Sequence, residues 1–279
     1  MVTQQTSLTC INNLYFKCEY ENPTGSVKDR SIIYQVSQLK QKKIKNAVIS
    51  SSGNAAISAA KYCQHAHIAL TVFVSPHICS AKLEVLKKMS CTIVSSLKPI
   101  SNAVKFAQEH NAYNMRQSKD ELAPIGYGII AHEIYCQLPI VDAVFIPVSS
   151  GTSFVGIARG FRKLGKLPAL HAVQTEAIHP VAEKFDTEFH KKEKSLADGI
   201  VARFTPRNEE IVAWINISNG SGWVISDEEA ARAHTWLEEH NIHCSYEGAL
   251  TLAALWKAKK KGSVYENPVC LLTGKYYVC

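Results

Sequence analysis

Apolar residues in this chain fall into short runs separated by longer amphipathic stretches. Residues 47–49, 68–74, 92–94 and 170–174 read as strands, being short, apolar and rich in β-branched side chains. Residues 14–18, 112–114 and 269–272 join them. The run at 141–148 is the strongest and suits a central parallel strand, buried on both faces. Helical spacing fills the gaps. One helix opens at Ser26, carries Ile32, Ile33, Val36 and Leu39 on one face, and ends among the lysines near Lys45. Others are predicted over 54–64, 80–89, 101–109, 128–137, 154–164, 226–240 and 247–260. Strand and helix in alternation predict βαβ units around parallel sheets. Residues 177–222 show no clear period, and 184–198 within them are charge-rich and expected to be exposed.

Composition narrows this only a little. At 279 residues the chain exceeds the usual single-core size, so one large or two interleaved domains are expected. A net charge of +7 sits largely in two lysine runs, 40–45 and 257–261, which end predicted helices where cations complement the dipole. No aromatic residues interleave with them, so nucleic-acid binding is not expected. No apolar run reaches membrane-spanning length, and no basic-then-apolar leader opens the sequence, so a cytoplasmic location and no membrane partner are expected. Nine cysteines, none in a Cys-x-x-Cys pair, fit reduced, buried thiols. His65-x-His67 and His240-x-x-His243 lack acidic or cysteine partners, so no metal site is expected.

Chemistry concentrates in turns where a strand stops and a helix begins. In Asn22-Pro23-Thr24-Gly25-Ser26-Val27-Lys28-Asp29-Arg30, Ser26-x-x-Asp29 reads as a capping box. Lys28 then lies in the first helical turn, beside the positive end of the dipole, a placement that favours a neutral, nucleophilic amine. Alone, the segment reads equally as a surface lysine before a solvated Asp-Arg pair. At Ser149-Ser150-Gly151-Thr152-Ser153, backbone N–H groups, hydroxyls and a helix N-terminus surround one point, an anion cradle suited to a phosphate. Ser51-Ser52-Gly53-Asn54 forms a second cradle with an added amide, and a simple helix cap explains it as well. The P-loop look-alike at 160–166 places Leu167 where a magnesium-binding hydroxyl belongs. Glu176, at a strand end where a dinucleotide fold puts its ribose-binding acid, lacks the three spaced glycines before it.

Taken in order, these turns resemble fold-type II pyridoxal-phosphate enzymes, which include threonine synthase, cysteine synthase and serine or threonine dehydratases. The resemblance rests on the lysine motif, on Ser51-Ser52-Gly53-Asn54-Ala55-Ala56 as an asparagine loop, on residues 147–153 as a phosphate loop, and on Leu271-Leu272-Thr273-Gly274. It implies a tryptophan synthase β-like α/β architecture of two domains, with parallel-type sheets flanked by helices and the cofactor in the interdomain cleft. The large domain would span 1–40 and 127–279, and the small, substrate-side domain 41–126. Lys28 would be the Schiff-base lysine and catalytic acid–base group. Asn54 would bond the ring hydroxyl of pyridoxal 5'-phosphate. Ser149, Ser150, Gly151, Thr152 and Ser153 would bind its phosphate, and Thr273 would face its pyridine nitrogen. Ser51, Ser52 and Gly53 would hold the substrate carboxylate, and Lys82 and Arg116 are the cations available for a substrate phosphate.

Within the family, Asn-Pro-Thr-Gly-Ser, Val173-Gln174-Thr175-Glu176 and Tyr246-Glu247-Gly248-Ala249-Leu250 look similar to threonine synthase. The implied reaction is a lyase step of amino-acid biosynthesis, converting O-phosphohomoserine and water to threonine and phosphate. The substrate would be a small, phosphorylated amino acid, and a homodimer is the family's usual state. Three departures keep other readings open: Ala55 where threonine is usual, and Ser149 and Thr152 where glycine is usual. A serine or threonine dehydratase, or a cysteine synthase-like β-replacement enzyme, is the alternative. A degenerate, non-catalytic member is a third.

Overall fold

The computed structural model describes residues 4–278. In chain order the elements begin with strands β1 (Leu8–Ile11) and β2 (Leu14–Cys18), helix α1 (Lys28–Gln41), β3 (Asn46–Ser50) and α2 (Asn54–His65). Next come β4 (Ala69–Val74), α3 (Ser80–Lys87), β5 (Thr92–Ser95), α4 (Pro99–Glu109), β6 (Tyr113–Asn114) and α5 (Ala123–Gln137). They continue with β7 (Ala143–Pro147), α6 (Thr152–Lys163), β8 (Ala169–Thr175), α7 (Asn208–Ile217) and β9 (Ser221–Ile225). Helices α8 (Asp227–Glu239) and α9 (Tyr246–Lys260) and strand β10 (Pro268–Leu272) complete the chain.

The chain divides into two compact units, as the α/β reading expects. One comprises residues 22–126 with 4, 277 and 278; the other comprises 5–21 and 127–276. The first holds a four-stranded sheet in the order β5-β4-β3-β6, parallel throughout. Its core joins Ile32, Ile33, Val36 and Leu39 of α1 to Ala56, Ile57, Ala60 and Cys63 of α2 and to the apolar side chains of β3 and β4. That packing explains a difference from the sequence reading, which placed residues 1–40 with the larger domain. Residues 22–40 group instead with 41–126, because the apolar face of α1 is buried against α2. Gly126 is fixed by the same helix, since a Cβ there would lie 2.8 Å from Ser31 Cα.

The second unit carries a six-stranded sheet in the order β1-β2-β10-β7-β8-β9. Every pairing in it is parallel except β1 with β2. Strand β7 is buried along its whole length, as the apolar run over 141–148 predicts for a central position. The β1–β2 hairpin was not read from the sequence. Its turn is Asn12-Asn13, with φ of +52° and +59°, the left-handed pair that a two-residue hairpin turn requires and asparagine tolerates. Helix α7 and strand β9 account for part of the unread 177–222 stretch. Ser221 and Gly222 look like turn residues, yet Gly222 is a strand position where a Cβ would meet Ala182 Cα at 2.7 Å.

Among the described residues, seven cysteines are free thiols, and Cys18, Cys63, Cys244 and Cys270 of these are buried. Cys79 departs from the all-thiol expectation, being disulfide-bonded. No helix among the described residues is long and apolar enough to cross a membrane.

Candidate active site

The lysine turn differs in detail from the capping box expected of it. Asn22 accepts the Gly25 N–H through its carbonyl at 2.6 Å, and Gly25 takes φ +79°, which closes the turn. Ser26 Oγ accepts from the backbone N–H of Lys28 at 3.1 Å, so Ser26 does shield the helix start. Helix α1 nevertheless begins at Lys28 rather than Ser26, and Asp29 does not reach back to Ser26. Its carboxylate is fully buried and turned to other donors. Oδ2 accepts from Thr24 N at 2.8 Å and from Tyr62 Oη at 3.0 Å. Oδ1 accepts from Ser58 Oγ at 2.6 Å and from Thr24 Oγ1. The solvated Asp-Arg pair allowed by the sequence is therefore excluded, because Arg30 is buried too, its guanidinium donating to Gln4 O at 2.9 Å. Lys28 itself is half-buried. Tyr62 responds to this setting: burial first, then the Asp29 charge and hydrogen bond, push its hydroxyl above the ordinary range.

Residues 51–54 lead from β3 into α2 in the same unit. Ser51 N–H donates to Phe73 O at 3.1 Å, Ser51 Oγ accepts from Gly53 N at 3.2 Å, and Ser52 Oγ accepts from Ser75 N at 2.7 Å. These bonds hold the loop open-ended at the helix N-terminus, with Gly53 directly before α2. Asn54 Oδ1 is buried with no hydrogen-bond partner. A buried amide oxygen without a donor costs free energy unless something completes it. Lys82 stands in α3 with its ammonium 5.3 Å from the centre of the Tyr277 ring. Arg116 is half-buried on the loop after β6, where its backbone N–H donates to Asn114 Oδ1 at 3.1 Å. Asp29 thus ties the Lys28 turn to α2, whereas Lys82 and Arg116 ride on separate elements.

Residues 149–153 lie in the second unit, leading from β7 into α6. Gly151 sits at φ +80° immediately before α6. A side chain there would overlap Ile211 Cδ1 and come to 3.1 Å of Thr205 Cγ2, so both the left-handed φ and the neighbouring side chains favour glycine. Ser150 and Thr152 exchange a hydroxyl hydrogen bond at 3.0 Å. Ser149 is fastened from the opposite side: its Oγ accepts from Val201 N at 3.2 Å and its carbonyl from Thr205 Oγ1 at 3.1 Å. The residues that sequence reasoning missed are these two, Val201 and Thr205, from a stretch without periodicity. Ser153 is half-buried in the first turn of α6. Thr273 is half-buried directly after β10, on the neighbour of β7 in the sheet. This loop is a helix N-terminus lined by free backbone geometry and hydroxyls, as phosphate binding requires.

A separate open cleft of about 740 Å³ in the second unit is lined by Glu176, His190, Lys192, Arg232 and Lys257 among others. It contains none of the residues expected to hold the cofactor or substrate. Glu176 Oε1 accepts from His190 N at 3.1 Å, and its other oxygen lies 3.6 Å from Lys192 Nζ. Among the described residues, no group of three or more His, Cys, Asp or Glu could hold a metal ion.

Each of the two α/β units, both rich in parallel strands, thus carries a strand-to-helix turn with polar groups at a helix N-terminus, the first with the partnerless Asn54 amide oxygen and the second with the 149–153 hydroxyls. Comparison with known proteins shows the family. Residues 3–274 match the family model "Pyridoxal-phosphate dependent enzyme", and the chain belongs to that family. Threonine synthase of Methanocaldococcus jannaschii is 24% identical over 284 residues, covering 95% of this chain and 70% of that protein. The catabolic L-threonine dehydratase of Staphylococcus aureus is 25% identical over 274 residues, covering 94% and 78%. Among solved structures, maize serine racemase superposes with a TM-score of 0.88 at 19% identity, covering 99% of this chain and 89% of that one. Threonine deaminase of Solanum lycopersicum gives 0.85 at 19% identity, covering 99% and 85%. The fold is that of fold-type II pyridoxal-phosphate enzymes, and the protein is dependent on pyridoxal phosphate.

The residues present fit such a cofactor. The hydroxyls of residues 149–153 before and at the start of α6 suit a phosphate, and the partnerless amide oxygen of Asn54 suits a polar ring substituent. An amide can present either oxygen or nitrogen, so Asn54 is able to donate as well as accept.

Proposed function

We propose that this chain is a lyase of the threonine synthase type, which converts O-phosphohomoserine and water to threonine and phosphate. Lys28 is the amine that would hold the cofactor's carbonyl carbon, Asn54 its ring oxygen, residues 149–153 its phosphate and Thr273 its pyridine nitrogen. Bound pyridoxal 5'-phosphate would supply a conjugated ring that accommodates the electron pair left when the substrate loses its Cα proton. Lys28 would take that proton, give it up again before the next step, and then take one at Cβ, while the Cγ–O bond breaks and phosphate leaves with its electron pair; water then adds at Cβ. Such transfers need an amine within hydrogen-bond reach and a dry setting, and Lys28 is half-buried at a helix N-terminus. A neutral hydroxyl from Thr273 leaves the ring nitrogen's protonation unenforced, which suits elimination and replacement at the side chain. Ser51, Ser52 and Gly53 would receive the substrate carboxylate at the start of α2, at the positive end of its dipole. Lys82 and Arg116 are the cations proposed for the substrate phosphate, and both belong to the unit that carries residues 51–54.

The observation that carries the reading is the Asn54 amide oxygen, buried without a partner at the start of α2, the helix whose Ser58 bonds Asp29, the residue after Lys28. A second reading, serine or threonine dehydratase, is favoured by Ala55, where threonine is usual in threonine synthases, and supported by the dehydratase relatives. Incubation with O-phosphohomoserine, threonine, serine and O-acetylserine separates the two. Phosphate released together with threonine from O-phosphohomoserine is the expected result. Ammonia and a 2-oxo acid from threonine or serine, with O-phosphohomoserine inert, would replace the first reading with the second. A homodimer is proposed for the active form, and its mass in solution tests that.

A further inference from the structure

Asp29 has a role beyond filling a buried position. We propose that it is a positioning residue that sets the amide of Asn54 relative to the amine of Lys28. This rests on the assignment of Lys28 and Asn54 made above.

Asp29 follows Lys28 in the chain, so the peptide bond between them fixes how far the carboxylate's anchorage sits from the Lys28 backbone. All four of its described donors come from two places. Thr24 N at 2.8 Å and Thr24 Oγ1 belong to the turn that delivers Lys28. Ser58 Oγ at 2.6 Å and Tyr62 Oη at 3.0 Å belong to α2. Asn54, Ser58 and Tyr62 stand at positions i, i+4 and i+8 of that helix and so share one face. Two bonds to Ser58 and Tyr62 along this stripe fix both the rotation of α2 about its axis and its slide along it. Rotation and slide together determine where the Asn54 amide points.

The chemistry of the donors argues against simple packing. A core position needs only volume, which α2 supplies elsewhere with the apolar Ala56, Ile57, Ala59 and Ala60. A fully buried carboxylate is instead expensive unless several donors complete it. Here three side chains and a backbone N–H do so, and the α1 N-terminus adds its dipole. Such a network is directional where apolar contact is not, and it rigidifies what it joins.

Three variants test the role in the full chain: Tyr62→Phe and Ser58→Ala, each removing one donor, and Asp29→Asn. Two readouts are compared. The first is the affinity for pyridoxal 5'-phosphate, by absorbance titration, with the visible circular dichroism of the bound cofactor. The second is urea unfolding without cofactor. Tyr62→Phe and Asp29→Asn are expected to weaken cofactor binding about ten-fold or more and to alter the dichroism, the scale seen when groups behind a ligand are loosened. Borohydride should still trap the cofactor on Lys28 in each. Unchanged affinity and dichroism in Tyr62→Phe, with only the urea midpoint lowered, would overturn the proposal by reducing Asp29 to a structural role. Should Asp29→Asn not fold, Tyr62→Phe and Ser58→Ala decide the matter. If the unaltered chain traps no cofactor at Lys28, the assignment of Lys28 fails first, and the positioning role falls with it.

Discussion

Gly151 joins β7 to α6 at φ +80°, with Ile211 and Thr205 occupying the space a side chain would need. Replacing it by alanine imposes left-handed strain, of order 1–3 kcal/mol, in addition to the overlap. Gly151→Ala is therefore expected to lower the urea midpoint at unchanged slope and to weaken cofactor binding; full stability would contradict the geometry. His171 supplies a pH dependence. It is buried beside Phe145, Trp223 and Tyr265, and Nδ1 accepts from Ser221 N at 3.0 Å and Trp223 Nε1 at 3.2 Å. Burial pushes its pKa down to about 4. Between an unfolded value near 6.5 and that folded value, only the unfolded chain takes up the proton, so stability falls as pH falls through this window. The contribution is about 3 kcal/mol, present in full above it. Asp186 adds in the same direction: burial works to raise its pKa, but hydrogen bonds from Lys257 and the Val224 N–H hold it lowered, so its stabilisation is lost on acidification. Urea titrations at pH 7 and 4.5 should show a smaller decline for His171→Gln than for the unaltered chain. Equal declines would rule out His171 as a source. At this scale the sequence proposes Lys28, Asn54 and the 149–153 hydroxyls by type and order, and the structure places each of them at or just before the start of a helix. The sequence misassigned Asp29, because a capping box and a buried hub share one local spacing and only the third dimension supplies Ser58 and Tyr62.

At the level of elements, strands β3, β4, β7, β8 and β10 were legible because buried parallel strands are continuous apolar runs. The hairpin strand β1 and strand β9 were not. Their register depends on left-handed asparagines at 12 and 13 and on Gly222 packed against Ala182, features that local hydropathy does not encode. Strand β2 conceals a similar surprise. Lys17 is wholly buried, its ammonium 2.6 Å from Glu133 Oε2 on α5 and 2.7 Å from Thr6 O. Removing one partner leaves a buried charge uncompensated, which costs about 3–5 kcal/mol. Glu133→Ala is expected to fall in this range by urea unfolding, while Glu133→Ala combined with Lys17→Met should recover most of the loss. A loss under 1 kcal/mol in the single variant would mean that water reaches Lys17.

For the whole molecule, the family and the class of fold were legible because four turns occur in the expected order along 279 residues. Domain limits were less so. Residues 22–40 pack through the apolar face of α1 into the unit of 22–126, a tertiary choice invisible to chain order. The substrate is the least legible feature, since threonine synthase and threonine dehydratase relatives stand at nearly equal identity. Ala55, Lys82 and Arg116 are the positions at which the substrate preference would be set. All of the proposed chemistry depends on the Lys28 amine holding the cofactor. The most direct measurement is the visible spectrum of the protein reconstituted with pyridoxal 5'-phosphate, before and after borohydride reduction and digestion. A visible band that disappears in Lys28→Ala, with the reduced cofactor recovered on the peptide containing Lys28, is the result expected. A band that survives Lys28→Ala, or no band after reconstitution, would contradict it.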